Sequence, residues 1–69
     1  MKQVKISLAA ARVNAKMTQK EVAKKLKVSH VTVLRWEKGQ ATPSYAALLA
    51  LSDLYNLPIS VFSLPKKLT

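Results

Sequence analysis

The chain of 69 residues has no cysteine, a single glycine and only three acidic residues. Without cysteine neither a disulfide framework nor a thiolate metal site is available, and an intracellular, cytoplasmic compartment fits. The acids, Glu21, Glu37 and Asp53, are dispersed, and His30 is the only histidine. No catalytic triad or metal site can be assembled from such a set, so an enzyme is not expected, nor a metal or cofactor. Long apolar runs are missing too. The longest, AALLAL at 46–51, is far short of a membrane span, and the N-terminal MKQVKIS lacks a signal-peptide core. There is no internal repeat, low-complexity tract or interdomain linker.

What is present in excess is positive charge. Twelve Lys and Arg against three acids give a formal +9. In so small a chain that implies a polyanionic partner, or at least nonspecific attraction to one. The length suits one domain over 1–69 with a single modest core; no second catalytic or ligand-sensing domain is expected within it, nor a small-molecule ligand. A cationic helix lying on a membrane would also be basic. Such segments are long and uninterrupted, without repeated caps and a central tryptophan, so no membrane partner is expected.

The stretch Thr18–Gly39 organises the rest. Thr18 and Glu21 have the spacing of a capping box, with Met17 and Val22 placed as its hydrophobic staple. Eleven residues later Ser29 repeats the cap, flanked by Val28 and Val33. Between the two starts fits a helix of about two turns, ending near Lys25 or Leu26, and a connection of three or four residues. This is helix-turn-helix spacing. The first helix of the pair buries Val22, Ala23 and Leu26, with Ala23 small enough for a close crossing. The second, about His30 to Lys38, turns Val33 and Trp36 inward and His30, Val31, Leu34, Arg35 and Lys38 outward, and Gly39 ends it. Lys27 occupies the turn, where a positive φ costs on the order of 1 kcal/mol.

Before the motif, Val4, Leu8, Ala11 and Ala15 share one face of a helix within residues 1–16. Arg12 lies at the edge of that stripe. Either it meets Glu37, which follows Val33 by one turn and leans inward, or both are solvated surface charges. After the motif, Thr42 or Ser44 caps a fourth helix whose core face is Leu48, Leu51, Ser52 and Tyr55. Leu49 and Leu54 fall outside that stripe. Together with Leu57, Pro58 and Ile59 they are the candidates for a subunit contact, against ordinary lining of a small domain. Asn56 ends the fourth helix, Pro58 opens a short fifth, and Val61 and Phe62 close the core. Residues 63–69 read as a loose tail carrying Lys66 and Lys67.

The set Arg12, Thr18-Gln19, Val22-Ala23, Leu26, Val28-Ser29, Val33, Trp36-Glu37, Gly39, Pro43, Leu48 and Leu51-Ser52 resembles the phage repressor and Cro type of helix-turn-helix domain, the XRE family. The resemblance spans about residues 4–63. It implies an all-α, compact five-helix bundle of the lambda-repressor-like kind, whose third helix enters the major groove of double-stranded DNA, usually as a homodimer on a pseudo-palindromic operator. It also implies that Arg12 and Glu37 form a buried salt bridge between the first and third helices. Lys16 and Lys27 depart from the family by standing where it often has glycine.

The side chains of the third helix suit that role on their own chemistry. Arg35 can grip guanine O6 and N7 with two donors, His30 can donate to or accept from a purine edge, and Val31 can meet a thymine methyl, the resemblance placing a base contact there. Ser29 completes the expected base contacts. The resemblance matches Gln19 with a glutamine that touches the phosphate backbone, where its amide and the free N–H groups of a helix start make an anion site. Thr18, Lys20, Thr32, Lys38, Gln40 and Thr42 are the further expected phosphate contacts. Lys5, Lys24, Lys25 and Lys27 are expected to be solvated charges that add to the field. The function expected is sequence-specific transcriptional regulation by a small Cro-like repressor of a phage or mobile element. The alternative is an antitoxin-type protein that binds DNA and also a partner toxin.

Overall fold

Ser7 decides where the first helix begins. Its hydroxyl accepts from the Ala10 N–H at 3.0 Å, so α1 runs Leu8–Asn14 rather than from the start of the chain. The computed structural model describes residues 5–64, and Val4, expected on the inner stripe, lies outside them. Ile6 is not helical: β1 (Ile6–Ser7) pairs in parallel with β2 (Phe62–Ser63), Ile6 opposite Phe62 and Ser7 opposite Ser63. The hydrophobic period alone carries Val4 into the helix. Among the described residues, the Ser7 cap and the pairing of Ile6 with Phe62 start the helix at Leu8.

Then come α2 (Gln19–Leu26), α3 (His30–Lys38) and α4 (Tyr45–Tyr55). Thr18 makes the complete capping box, its Oγ1 accepting from Glu21 N–H at 3.1 Å and its own N–H donating to Glu21 Oε1 at 2.8 Å. The Thr18 N–H, and next its side chain, hold the Glu21 carboxyl below the usual carboxylate range. Ser29 caps α3 by accepting from Thr32 N–H, and Ser44, not Thr42, caps α4 by accepting from Ala47 N–H. The expected fifth helix is a single 3-10 turn, Ile59–Val61, because Phe62 must extend to pair with β1. Among the described residues the bundle therefore has four α-helices, a 3-10 turn and a two-residue parallel bridge.

Each α-helix ends the same way. A residue with positive φ follows it, Lys16 (59°), Lys27 (60°), Gly39 (78°) or Asn56 (56°). The next N–H then reaches back five residues: Met17 to Arg12 O, Val28 to Ala23 O, Gln40 to Arg35 O and Leu57 to Ser52 O, at 2.9–3.2 Å. Lysine thus makes both sharp turns where glycine is cheaper. Lys27→Gly is expected to raise the stability by up to about 1 kcal/mol in urea unfolding. No gain would mean that the lysine's stem recovers the backbone cost.

The core is Leu8, Ala11, Val22, Ala23, Val33, Trp36, Leu51, Tyr55 and Phe62. Ala11 and Ala23 admit neighbouring helices closely because they carry so little volume. Leu26 and Leu48, expected in the core, are half-buried against it. Tyr55 and Phe62 meet edge to face with centroids 6.3 Å apart. Burial, then the negative Glu37, pushes the Tyr55 hydroxyl up to about 12, with Arg12 opposing. Among the described residues, no helix is long and apolar enough to cross a membrane.

Candidate nucleic-acid interface

Two ion-pair partners tie the helices together. Arg12 Nε donates to Glu37 Oε2 at 2.8 Å and Nη2 to Oε1 at 3.4 Å, with side chains 16% and 7% exposed. The arrangement runs further than one pair. Arg12 Nη1 donates to the Met17 carbonyl at 2.8 Å, and Gln19 Nε2 donates to Glu37 Oε1 at 2.9 Å. One carboxylate therefore joins α1, the first residue of α2 and the last turn of α3. Through Met17 the same guanidinium also holds the turn that Lys16 makes. No buried side-chain nitrogen or oxygen among the described residues is left without a partner.

This cluster fixes the rotation of α3 about its axis, and the helical period does the rest. With Val33 and Trp36 buried, His30, Val31 and Arg35 are exposed on the outer side, as is Lys38, and Leu34 is half-buried between them. Val31 is 43% exposed. Ser29 is exposed, but its hydroxyl caps α3 and lies 2.9 Å from Thr32 Oγ1, which fixes both side chains at the start of the helix. Four donors and acceptors of different kinds thus stand beside an apolar Val31. That mixture matches what a base-pair edge presents in the major groove.

Around this face the expected phosphate contacts divide. Thr18, Lys20, Lys38, Gln40 and Thr42 are exposed, while Gln19 and Thr32 are half-buried. Gln40 and Ala41 both donate their N–H to the Arg35 carbonyl, at 2.9 and 3.3 Å, so the loop after α3 is held against the C-terminal end of that helix. Gln19 has a second amide N–H and the carbonyl oxygen besides the donor it gives to Glu37. Lys66 and Lys67 lie outside the described residues. Lys5 is not a simple solvated charge, because its Nζ donates to the Ser60 carbonyl at 2.7 Å beside the β1–β2 bridge.

The candidates for a subunit contact are spread over the other end of the chain. Leu49 and Pro58 are exposed, and Leu54, Leu57 and Ile59 are half-buried, with Leu54 and Leu57 packed on the core. Sequence reasoning missed the third arm of the Glu37 cluster. The signal was there in part: Gln19 starts the helix that packs on α3, and Glu37 has two oxygens for one guanidinium edge.

Residues 8–62 match the helix-turn-helix family HTH_3. This chain belongs to the XRE-type helix-turn-helix family. Over 43 residues it is 51% identical to the HTH-type transcriptional regulator DicA of Escherichia coli (strain K12), a match covering 62% of this chain and 32% of that protein. The chain thus spans about a third of the length of the curated relative it matches. No solved structure matches it. The family match takes in all four α-helices, the 3-10 turn and Phe62, so the elements that orient the outer face of α3 belong to the helix-turn-helix domain as a whole.

Proposed function

We propose that the protein is a sequence-specific DNA-binding transcriptional regulator, a small Cro-like repressor of a phage or mobile element acting in the cytoplasm. Residues 1–69 serve as one binding domain. The observation that carries this reading is the outward face of α3, His30, Val31 and Arg35, locked in rotation by the Arg12–Glu37–Gln19 cluster on a chain of net charge +9. In this reading α3 lies in the major groove. Arg35, His30, Val31 and Ser29 read bases, and Thr18, Gln19, Lys20, Thr32, Lys38, Gln40 and Thr42 hold phosphates. Regulation is by occupancy: the bound protein excludes polymerase, and its own concentration is the control. A homodimer on a pseudo-palindromic operator follows from the same reading, with Leu49, Leu54, Leu57, Pro58 and Ile59 as candidate subunit contacts.

Selection on random duplex DNA tests this directly. A palindrome of two half-sites about one helical turn apart is the expected outcome, and recovery of no sequence would contradict specific readout. Arg35→Ala is expected to weaken operator binding by about 1–3 kcal/mol with nonspecific affinity nearly unchanged. Equal loss on operator and random DNA refutes the role of Arg35. Gln19→Ala is expected to weaken binding to all sequences alike. A changed base preference at undiminished affinity would show that Gln19 does not act through phosphate.

A further inference from the structure

Apart from Leu49 and Leu54 as candidate subunit contacts, the DNA reading makes no use of α4. Among the α-helices of the described residues it alone has no lysine or arginine, and its solvent-facing residues Tyr45, Ala46, Leu49 and Ala50 are apolar, interrupted by Asp53 alone. Tyr45 is 70% exposed and Leu49 49%. Beside Ala46 and Ala50 opens a groove of about 420 Å³ between α4 and the α2–α3 turn. Its floor is Leu26, Val28 and the edge of Trp36, and Lys25 and Lys27 stand on its rim. Among the described residues, no carboxylate lines it.

We propose that this groove docks an acidic amphipathic helix from a partner protein, whose apolar side chains lie over Ala46 and Ala50 and whose carboxylates face Lys25 and Lys27. Two alanines one turn apart let a second helix approach closely, and exposed leucine and tyrosine extend the apolar surface beyond the groove. The charge of the occupant is set by the rim. A second copy of this chain cannot supply it. Of the three acids, Glu21 is engaged in the Thr18 capping box and Glu37 in the Arg12 cluster, which leaves Asp53 as the one free acidic side chain among the described residues, against a net charge of +9. Duplex DNA would satisfy the lysines but not the apolar floor. An acidic amphipathic helix satisfies both, by the helix-in-groove mode.

Trp36 is the only tryptophan, so its fluorescence reports on the groove floor. The probe is a synthetic helical peptide of about four turns, with leucine on one face and glutamate on the others. The controls are a scrambled peptide of the same composition and polyglutamate. Only the amphipathic peptide is expected to shift Trp36 emission and to perturb the amide resonances of Ala46 and Ala50. Lys25→Glu with Lys27→Gln is expected to weaken it by at least about tenfold. Ala50→Lys, at an exposed helical position, is the deciding variant. It adds a cation but fills the groove, so binding is expected to fall. Stronger binding to Ala50→Lys, or equal binding of the scrambled peptide or polyglutamate, would overturn the proposal in favour of a general polyanion surface. A dimer in sedimentation that Ala50→Lys dissociates would overturn it in favour of a second copy.

Discussion

Glu37→Ala is expected to destabilise the fold by up to about 3–5 kcal/mol, because it leaves the half-buried Arg12 guanidinium without its counter-charge. The loss is not confined to one pair. Gln19 Nε2 loses its acceptor and the Arg12 contact to Met17 O must hold the cation alone, so α1, α2 and α3 all loosen from one substitution. A small domain has only about 5–15 kcal/mol to lose, which makes this change close to unfolding. Urea titration followed by helical circular dichroism measures it. The double replacement Arg12→Met with Glu37→Leu separates the causes. If the cost of Glu37→Ala is the stranded charge, the double variant recovers most of the stability, since an apolar pair of similar volume avoids desolvating any ion. If the double variant is as unstable as the single, the cluster contributes by direct attraction and geometry instead. In either case the double variant lacks the acceptor that orients Gln19, so DNA affinity should fall across all sequences even where the fold is restored.

How far this cluster was visible from residue types alone shows what local pattern can and cannot carry. Periodicity places Glu37 toward the interior, and the family resemblance pairs it with Arg12. Neither reveals that Gln19 shares the carboxylate, because that depends on how two helices cross. The caps at Thr18 and Ser29 and the inward phase of Val33 and Trp36 are local features with a local cause, and the structure has them where the spacing puts them. The start of α1 at Leu8 and the shortening of the fifth helix share a non-local cause. Both follow from the pairing of Ile6 with Phe62, residues from opposite ends of the chain that carry no short-range sign of each other. Lys16 and Lys27 show the reverse case. Local preference argues against a left-handed lysine, yet the backbone bonds from Met17 and Val28 and the packing they serve hold both residues there.

Arg35 and Trp36 are neighbours in sequence, and the second large effect comes from setting them against each other. Trp36→Ala is expected to cost about 3–5 kcal/mol of stability, through lost burial and the cavity left in the core cluster. Arg35 is exposed, so Arg35→Ala should leave the urea midpoint nearly unchanged. In DNA binding the order reverses. At temperatures where Trp36→Ala remains folded, its operator preference should survive, because the rotation of α3 is also held by Glu37 from a different direction. Arg35→Ala should retain a full folded fraction and lose discrimination. Measuring both variants in unfolding and in binding to operator and random duplexes gives four numbers. A Trp36→Ala protein that is folded yet has lost specificity would mean that the indole, and not the Glu37 cluster, sets the angle at which α3 presents His30, Val31 and Arg35. An Arg35→Ala protein that is markedly unstable would place the guanidinium in the fold and remove it from the reading face.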